Sequence, residues 1–377
     1  MHKRLGLYVH IPFCRQKCLY CDFCSHPGTP EEAEAYCRAL LAEIAAAPRA
    51  QGWEADTVFF GGGTPSLLGE SLLPLLDGLA AAFPLSGGAE ITFEANPATL
   101  NRETLRALRR GGFNRISIGA QSFVPEELAA LGRIHTPADT VRAVEDARAA
   151  GFENLNLDLM FSIPHQTTES LAYSLDTACA LSPEHLSVYG LTVEEHTPFG
   201  RMGKTLPLPG EEDEQKMAER LYEIPGYGHY EISNYALPGY ACRHNLHYWH
   251  GEEYLGFGVA AASFYNGVRT VNTTDMATYF ASPAAAVAER VKVTEPDAAY
   301  EYLMLGLRLA EGVRGTVYEA RFARPFAPYA AVLEKYVPFG LVRRQVDGYA
   351  LTPGGFRVSN SVLEELLETA QHQQNQM

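Results

Sequence analysis

The sequence predicts an α/β protein: an open, partial (β/α)6 barrel extended by extra strands, followed by a small winged-helix-like α+β unit. Three observations carry this. From residue 5 to about 195, short β-rich runs alternate with helical runs, which means parallel strands joined by crossover helices. Residues 196–290 lose that rhythm and are rich in Gly, Tyr, His and Asn. Residues 296–370 change again: helical runs lead to FGLVRRQVDGYALTPGGFRVSN and a last helix.

The strand candidates of the first segment are residues 7–11, 57–60, 90–93, 115–118, 154–159 and 185–191. Helical runs lie between them at 30–46, 71–82, 101–110, 137–150 and 168–180. Six such units leave the barrel open, and in such barrels chemistry gathers at the C-terminal ends of the strands. The first domain is therefore set at 1–195. Residues 196–290, which contain YEISNYALPGYACRHNLHYWH, are expected to add strands to the barrel sheet and long loops. Residues 281–288, with Pro283 inside, read as a connector. In the third unit, 296–370, the pair Asp347-Gly348 between β-prone runs predicts a hairpin. Helices followed by a hairpin give the winged-helix-like shape. Basic and acidic residues balance from 300 to 377, so this unit reads as a packing or partner-docking element rather than a DNA-binding wing.

The bulk numbers narrow the function classes. A chain of 377 residues holds two or three domains, and 46% apolar residues is ordinary for a globular protein. A formal charge of -15 argues against nucleic-acid binding, which needs a basic footprint. The seven cysteines are an odd number with four of them clustered, which is not a secreted disulfide framework. The start, MHKRLGLYVHIPF, is broken by His10 and Pro12 and reads as no signal peptide. No stretch approaches the roughly 18 apolar residues of a membrane span. A cytoplasmic protein, not integral to a membrane, is expected.

The most specific feature is the run VHIPFCRQKCLYCDF, with Cys14, Cys18 and Cys21 in C-x3-C-x2-C spacing. A four-iron cubane normally takes four thiolates. Three thiolates in one loop leave the fourth iron open to a small ligand's nitrogen and oxygen. This stretch resembles the cluster loop of the radical S-adenosylmethionine (SAM) enzymes. A structural zinc loop would instead show two well-separated C-x2-C pairs, and no second pair is present. Cys24 follows at C-x2-C spacing, which admits it as a fourth ligand that would close the open iron. The reading favoured is a free, partly buried thiol.

Further blocks widen the resemblance. VHIPFC, GGGTPS, EANP, RISIGAQSF and LDLMFSIP, in that order and spacing, resemble the oxygen-independent coproporphyrinogen III oxidase-like family of radical SAM proteins. HNLHYW resembles its heme-chaperone subgroup (HemW type). The resemblance runs nearly end to end. It implies a 4Fe-4S cluster on Cys14, Cys18 and Cys21, SAM on the open iron within 1–195, and a heme- or tetrapyrrole-related region at 196–290. Porphyrin metabolism is the implied setting.

The residues have readings of their own beside it. Gly61, Gly62 and Gly63 follow a strand, where glycines let the backbone approach a ligand. Their amides can meet the SAM amino acid, and Thr64 adds a hydroxyl. Glu94 ends the next strand, and a carboxylate facing a cationic sulfonium is favourable in a shielded pocket. Gln121 can read ribose hydroxyls with both halves of its amide. Arg133 can pair with the SAM carboxylate in a bidentate way. Asp158, inside an apolar strand, needs partners, either ribose hydroxyls or structural donors. By resemblance Tyr8 and Tyr20 line the cluster and SAM pocket.

His244, Asn245, Tyr248 and Trp249 match the motif associated in these relatives with heme binding. Imidazole is a common axial ligand of heme iron, and Tyr and Trp offer flat faces to a porphyrin. His247 and His250 lie beside it, so the ligand could be any of the three histidines. Three positions depart from the family: Ser162 and Ala260 stand where Gly is usual, and Ala262 where the relatives carry His. The Ser162 change could narrow a loop near SAM.

The expected function is a heme chaperone that passes heme to acceptor apoproteins, membrane respiratory enzymes among them, with an electron donor reducing the cluster. The enzymatic rival is oxygen-independent coproporphyrinogen III oxidase. That enzyme has a longer segment before its cluster and places its extra cysteine at C-x-C, whereas here Cys24 makes C-x2-C. Another radical SAM reaction on a tetrapyrrole is a second rival. A winged-helix regulator is a third, and the neutral third unit speaks against it.

Overall fold

The computed structural model describes residues 3–48 and 52–374. Six strands carry the first segment: β1 Lys3–Ile11, β2 Trp53–Gly62, β3 Leu85–Ala95, β4 Arg115–Gln121, β5 Leu155–Phe161 and β6 His185–Gly190. Between them run α1 Pro30–Ala46, α2 Leu72–Ala82, α3 Arg102–Arg110, α4 Pro125–Ala130, α5 Pro137–Ala150 and α6 Thr168–Ala180. Consecutive strands pair in parallel from β1 to β6. The helix starts are legible in the residues. Thr29, Thr136 and Thr167 each accept a hydrogen bond from a first-turn amide of α1, α5 and α6, satisfying a donor the helix cannot pair itself. The strands exceed the predicted runs mainly toward their polar ends, where hydropathy gives no signal.

The irregular region contributes α7 Pro198–Met202, α8 Glu211–Arg220, β7 Gly228–Glu231, β8 Asn234–Ala236, α9 Arg243–Trp249 and β9 Tyr254–Phe257. It goes on with β10 Ala262–Tyr265, β11 Val268–Asn272, α10 Met276–Ala281 and β12 Val287–Lys292. β9 joins β1 in parallel, and the others continue the sheet antiparallel at both ends. The sheet has 12 strands in the order β12-β11-β10-β9-β1-β2-β3-β4-β5-β6-β8-β7. The expected extra strands are present, and the expected long loops also contain helices. HNLHYW in particular lies on α9 and not in a loop. The 281–288 connector is a short 3-10 turn at Pro283–Ala285 leading into β12.

A second core forms from α11 Glu295–Gly306, α12 Gly315–Phe322, α13 Ala327–Glu334, α14 Pro353–Arg357 and α15 Ser359–Gln374. They pack with a three-stranded sheet, β13 Val313–Arg314, β14 Val342–Gln345 and β15 Gly348–Leu351. β14 and β15 form the hairpin expected around Asp347-Gly348. The larger core lies between the parallel strands and α1–α6, with Leu7, Val9, Phe60, Phe93 and Ile116 sealed from solvent. Both faces of the central strands are covered, as a parallel sheet requires.

Ser162 and Ala260 both sit at φ 57. That left-handed backbone is where glycine is at ease and a Cβ is not. A glycine, which the resemblance leads one to expect at both positions, would sit there without that strain. Ser162 is buried with its hydroxyl unpartnered, and it does not line the cavity at the strand ends described next.

Candidate functional site

After β1 the chain turns at Phe13–Cys14, which pairs in parallel with His26–Pro27 and so closes the cysteine loop on itself. The loop is tied down by the Leu19 amide to the Leu131 carbonyl at 3.1 Å and by the Phe199 amide to the Leu19 carbonyl at 3.1 Å. His10 Nε2 lies 2.8 Å from the Cys24 carbonyl. Cys14, Cys18 and Cys21 all line one cavity of about 430 Å3 at the C-terminal ends of the strands. Cys24 does not: its Sγ points to the Thr274 carbonyl at 3.9 Å, against the main core.

Two glycines let the cavity wall come this close. Gly62 has φ +107, and a Cβ on it would stand 2.5 Å from the His10 ring. A Cβ on Gly63 would meet the Phe13 carbonyl oxygen at 2.7 Å. The Gly62 amide donates to Glu94 Oε2 at 3.1 Å. Thr64 Oγ1 reaches Cys14 Sγ at 3.5 Å. Arg133 spans the site, with Nη1 3.6 Å from Cys18 Sγ and Nη2 donating to the Gly119 carbonyl at 2.6 Å. Gln121 lines the same cavity from a left-handed backbone, φ 64, a strain that such sites commonly hold. Tyr20 forms part of the wall, packed near Phe199.

The acids set the electrostatics. Burial, reinforced by the Asp158 charge, pushes Glu94 up to about 8 despite the Gly62 amide. Burial also raises Asp158, against hydrogen bonds from Asn156 at 2.7 Å and Ser117 at 3.2 Å. Asp158 therefore has structural donors. A cation placed in this cavity would be attracted to both.

Tyr8 takes a different place from that expected. It shares the inward face of β1 with His10, whose Nδ1 lies 3.1 Å from its hydroxyl. Tyr8 lines a second, deeper cavity of about 150 Å3, which shares Glu94, Asp158 and Tyr189 with the first. His244, Asn245 and Tyr248 close this inner cavity from α9. α9 itself starts where the Glu90 carboxylate accepts from the Arg243 and His244 amides at 3.3 and 3.2 Å, a favourable charge at a helix N-terminus.

His244 is 1% exposed and both its ring nitrogens are engaged. Nδ1 lies 2.8 Å from Thr57 Oγ1 and Nε2 2.9 Å from the Tyr248 hydroxyl, while the ring stacks on Phe59. Burial lowers its pKa to about 3, so it is neutral. Burial also works against charge on His247, but Asp56 at 2.7 Å and Glu252 at 2.8 Å outweigh it and raise it to about 9. Trp249 and His250 belong to the far side of α9, away from the inner cavity. Ala262 pairs with Val271 on the sheet extension, apart from both cavities.

Glu94 and Gln121 lie at strand ends, the three cysteines in the loop after β1, Asp158 in the middle of β5 and Arg133 in the loop after α4. The sequence does not single out His10, Thr57, Glu90 or Arg115, which lines the inner cavity: each is a polar residue inside a strand. The donor set fits a 4Fe-4S cluster with one open iron: three thiols face one cavity, and the fourth cysteine is turned away.

Residues 8–178 match the radical SAM superfamily, and residues 293–358 match the HemN C-terminal domain. The chain is 38% identical over 376 residues to the heme chaperone HemW of Escherichia coli (strain K12), covering 96% of this chain and 98% of that protein. It is 37% identical over 372 residues to the heme chaperone HemW of Bacillus subtilis (strain 168), covering 96% and 98%. Among solved structures, the radical SAM enzyme coproporphyrinogen III oxidase (HemN) from Escherichia coli superposes with a TM-score of 0.84. It is 25% identical, over 96% of this chain and 90% of that one.

Proposed function

The chain belongs to the HemW family of radical SAM proteins, and from that premise we propose that it binds heme and delivers it to acceptor apoproteins, respiratory enzymes among them. The observation that carries the reading is one cavity shared by three thiols and a set of SAM-matching polar groups, in a chain similar to heme chaperones over nearly its whole length.

Cys14, Cys18 and Cys21 hold the 4Fe-4S cluster, and SAM occupies the cavity beside it. When bound and reduced by an electron donor, the cluster supplies the electron that cleaves a sulfonium carbon–sulfur bond. The chain's own residues bind and orient. The Gly62 and Gly63 backbone and Thr64 meet the SAM amino acid, and Arg133 meets its carboxylate. Glu94 faces the sulfonium, while Gln121 and Asp158 address the ribose. Tyr20 shields the cavity wall, and Tyr8 lines the smaller cavity beneath it. Residues 1–195 form this unit, 196–290 the heme-related extension around His244, Asn245, Tyr248 and Trp249, and 296–370 a docking unit. Among the described residues no helix is long and apolar enough to cross a membrane. A cytoplasmic site of action fits the oxygen-sensitive cluster.

The test is an anaerobic heme titration of the reconstituted protein, followed by Soret absorbance and then by transfer to an apo-acceptor. Saturation near one heme per chain with transfer supports the reading. Absence of saturable binding overturns it, and coproporphyrinogen III becomes the next substrate tried.

A further inference from the structure

The matched motif is split across α9. His244, Asn245 and Tyr248 face the inner cavity, which at about 150 Å3 is smaller than the roughly 300–1,000 Å3 that small-molecule sites occupy. His244 has no ring nitrogen to spare. Trp249 and His250 face outward into a groove of about 790 Å3 between the barrel and the second core.

That groove has three chemical components in one place. Its aromatic walls are Trp249, Tyr302, Phe264 and Trp53, the last with the Lys3 ammonium 4.9 Å over its ring. Its cations are Lys3 and Arg4 from β1 and Arg314 and Arg321 from the second core. They outnumber the groove's acids, Glu252, Glu253 and Glu311, although acids outnumber bases in the whole chain, 45 to 30. The third component is the imidazole of His250, whose side chain is 39% exposed. Its Nε2 lies 2.8 Å from Glu311, which is 67% exposed. A surface pair of this kind is weak and yields to a stronger ligand.

A flat apolar ring bearing carboxylates and a metal needs aromatic faces, guanidinium or ammonium partners, and a nitrogen ligand. We infer that this outer groove holds the heme, with His250 as the iron ligand and Arg314 and Arg321 as partners of the propionates. The inference rests on the heme-chaperone reading and assigns its site. On it, His244 is a positioning residue: it ties α9 to Thr57 of β2 and so sets where Trp249 and His250 stand.

The test titrates hemin and metal-free protoporphyrin IX into the full chain, wild type beside His250→Ala and the double variant Arg314→Glu/Arg321→Glu. All three side chains reach solvent, and matched thermal melts verify the fold. The expected result is a loss of about tenfold or more in hemin affinity and a shifted Soret band for His250→Ala, with metal-free porphyrin binding retained. The double variant is expected to weaken both ligands. Unchanged hemin affinity and Soret band in both variants, with a wild type that binds, overturns the groove and leaves the chaperone reading standing. A wild type that binds no hemin overturns the chaperone reading itself.

Discussion

The imidazole of His10 meets the carbonyl oxygen of Cys24 at 2.8 Å. β1 thus holds the cysteine loop by a main-chain atom, and the Cys24 thiol is not part of the hold. Cys24→Ala should keep its iron and sulfide after anaerobic reconstitution, whereas Cys18→Ala should lose them. Equal loss in both would mean four thiolates and no open iron.

Glu94 carries a pH dependence whose sign can be worked out. Burial, then the Asp158 charge, lift it to about 8, so at neutral pH it is largely protonated while the cavity lacks a cation. A sulfonium beside it favours the ionised form, so binding releases a proton. SAM affinity should rise with pH toward 8 and level off above, by at most about tenfold per pH unit. Calorimetric titration at several pH values would check it, and Glu94→Gln should flatten the slope.

Ala260 sits at φ 57 with its amide donating to the Thr273 carbonyl at 2.9 Å. Ala260→Gly should relieve the left-handed strain, and the freer unfolded chain should offset part of the gain. A net stabilisation of about 0.5–1 kcal/mol is expected from denaturant unfolding. A destabilised variant would show that the side chain contributes more than its backbone costs.

His247 gives stability that depends on pH in the opposite direction from a carboxylate. Its folded pKa of about 9 lies above the ordinary value of 6.5. Its contribution is complete below about 6.5 and is lost as pH rises through about 9. The loss is on the order of 1–3 kcal/mol, screening at the part-exposed Glu252 included. Unfolding curves of wild type and His247→Gln between pH 6 and 10 should converge at the alkaline end.

Much of this site was legible because its residues end or interrupt apolar strands. Glu94 and Gln121 each close a run that hydropathy marks plainly, Asp158 is the one acid inside such a run, and three cysteines at fixed spacing need no fold to be noticed. α9 was not legible. HNLHYW has no apolar stripe of helical period, and the helix begins on Glu90, a residue of a distant strand. Nor could the residues show that His244 and Trp249, five apart, open onto different cavities. That follows from about 100° of turn per residue on a helix set between the barrel strands and α11. The positive φ of Ser162 and Ala260 was likewise hidden, since neither residue type announces a left-handed backbone.

The sheet never closes, and β12 is its last strand on one side, exposed along its whole length. A bare strand edge offers unpaired amides and carbonyls to any neighbouring chain. Here Glu289, Arg290 and Lys292 lie along that edge. A second strand settling against it would have to strip water from those charges, so the margin of the sheet discourages stacking into fibrils.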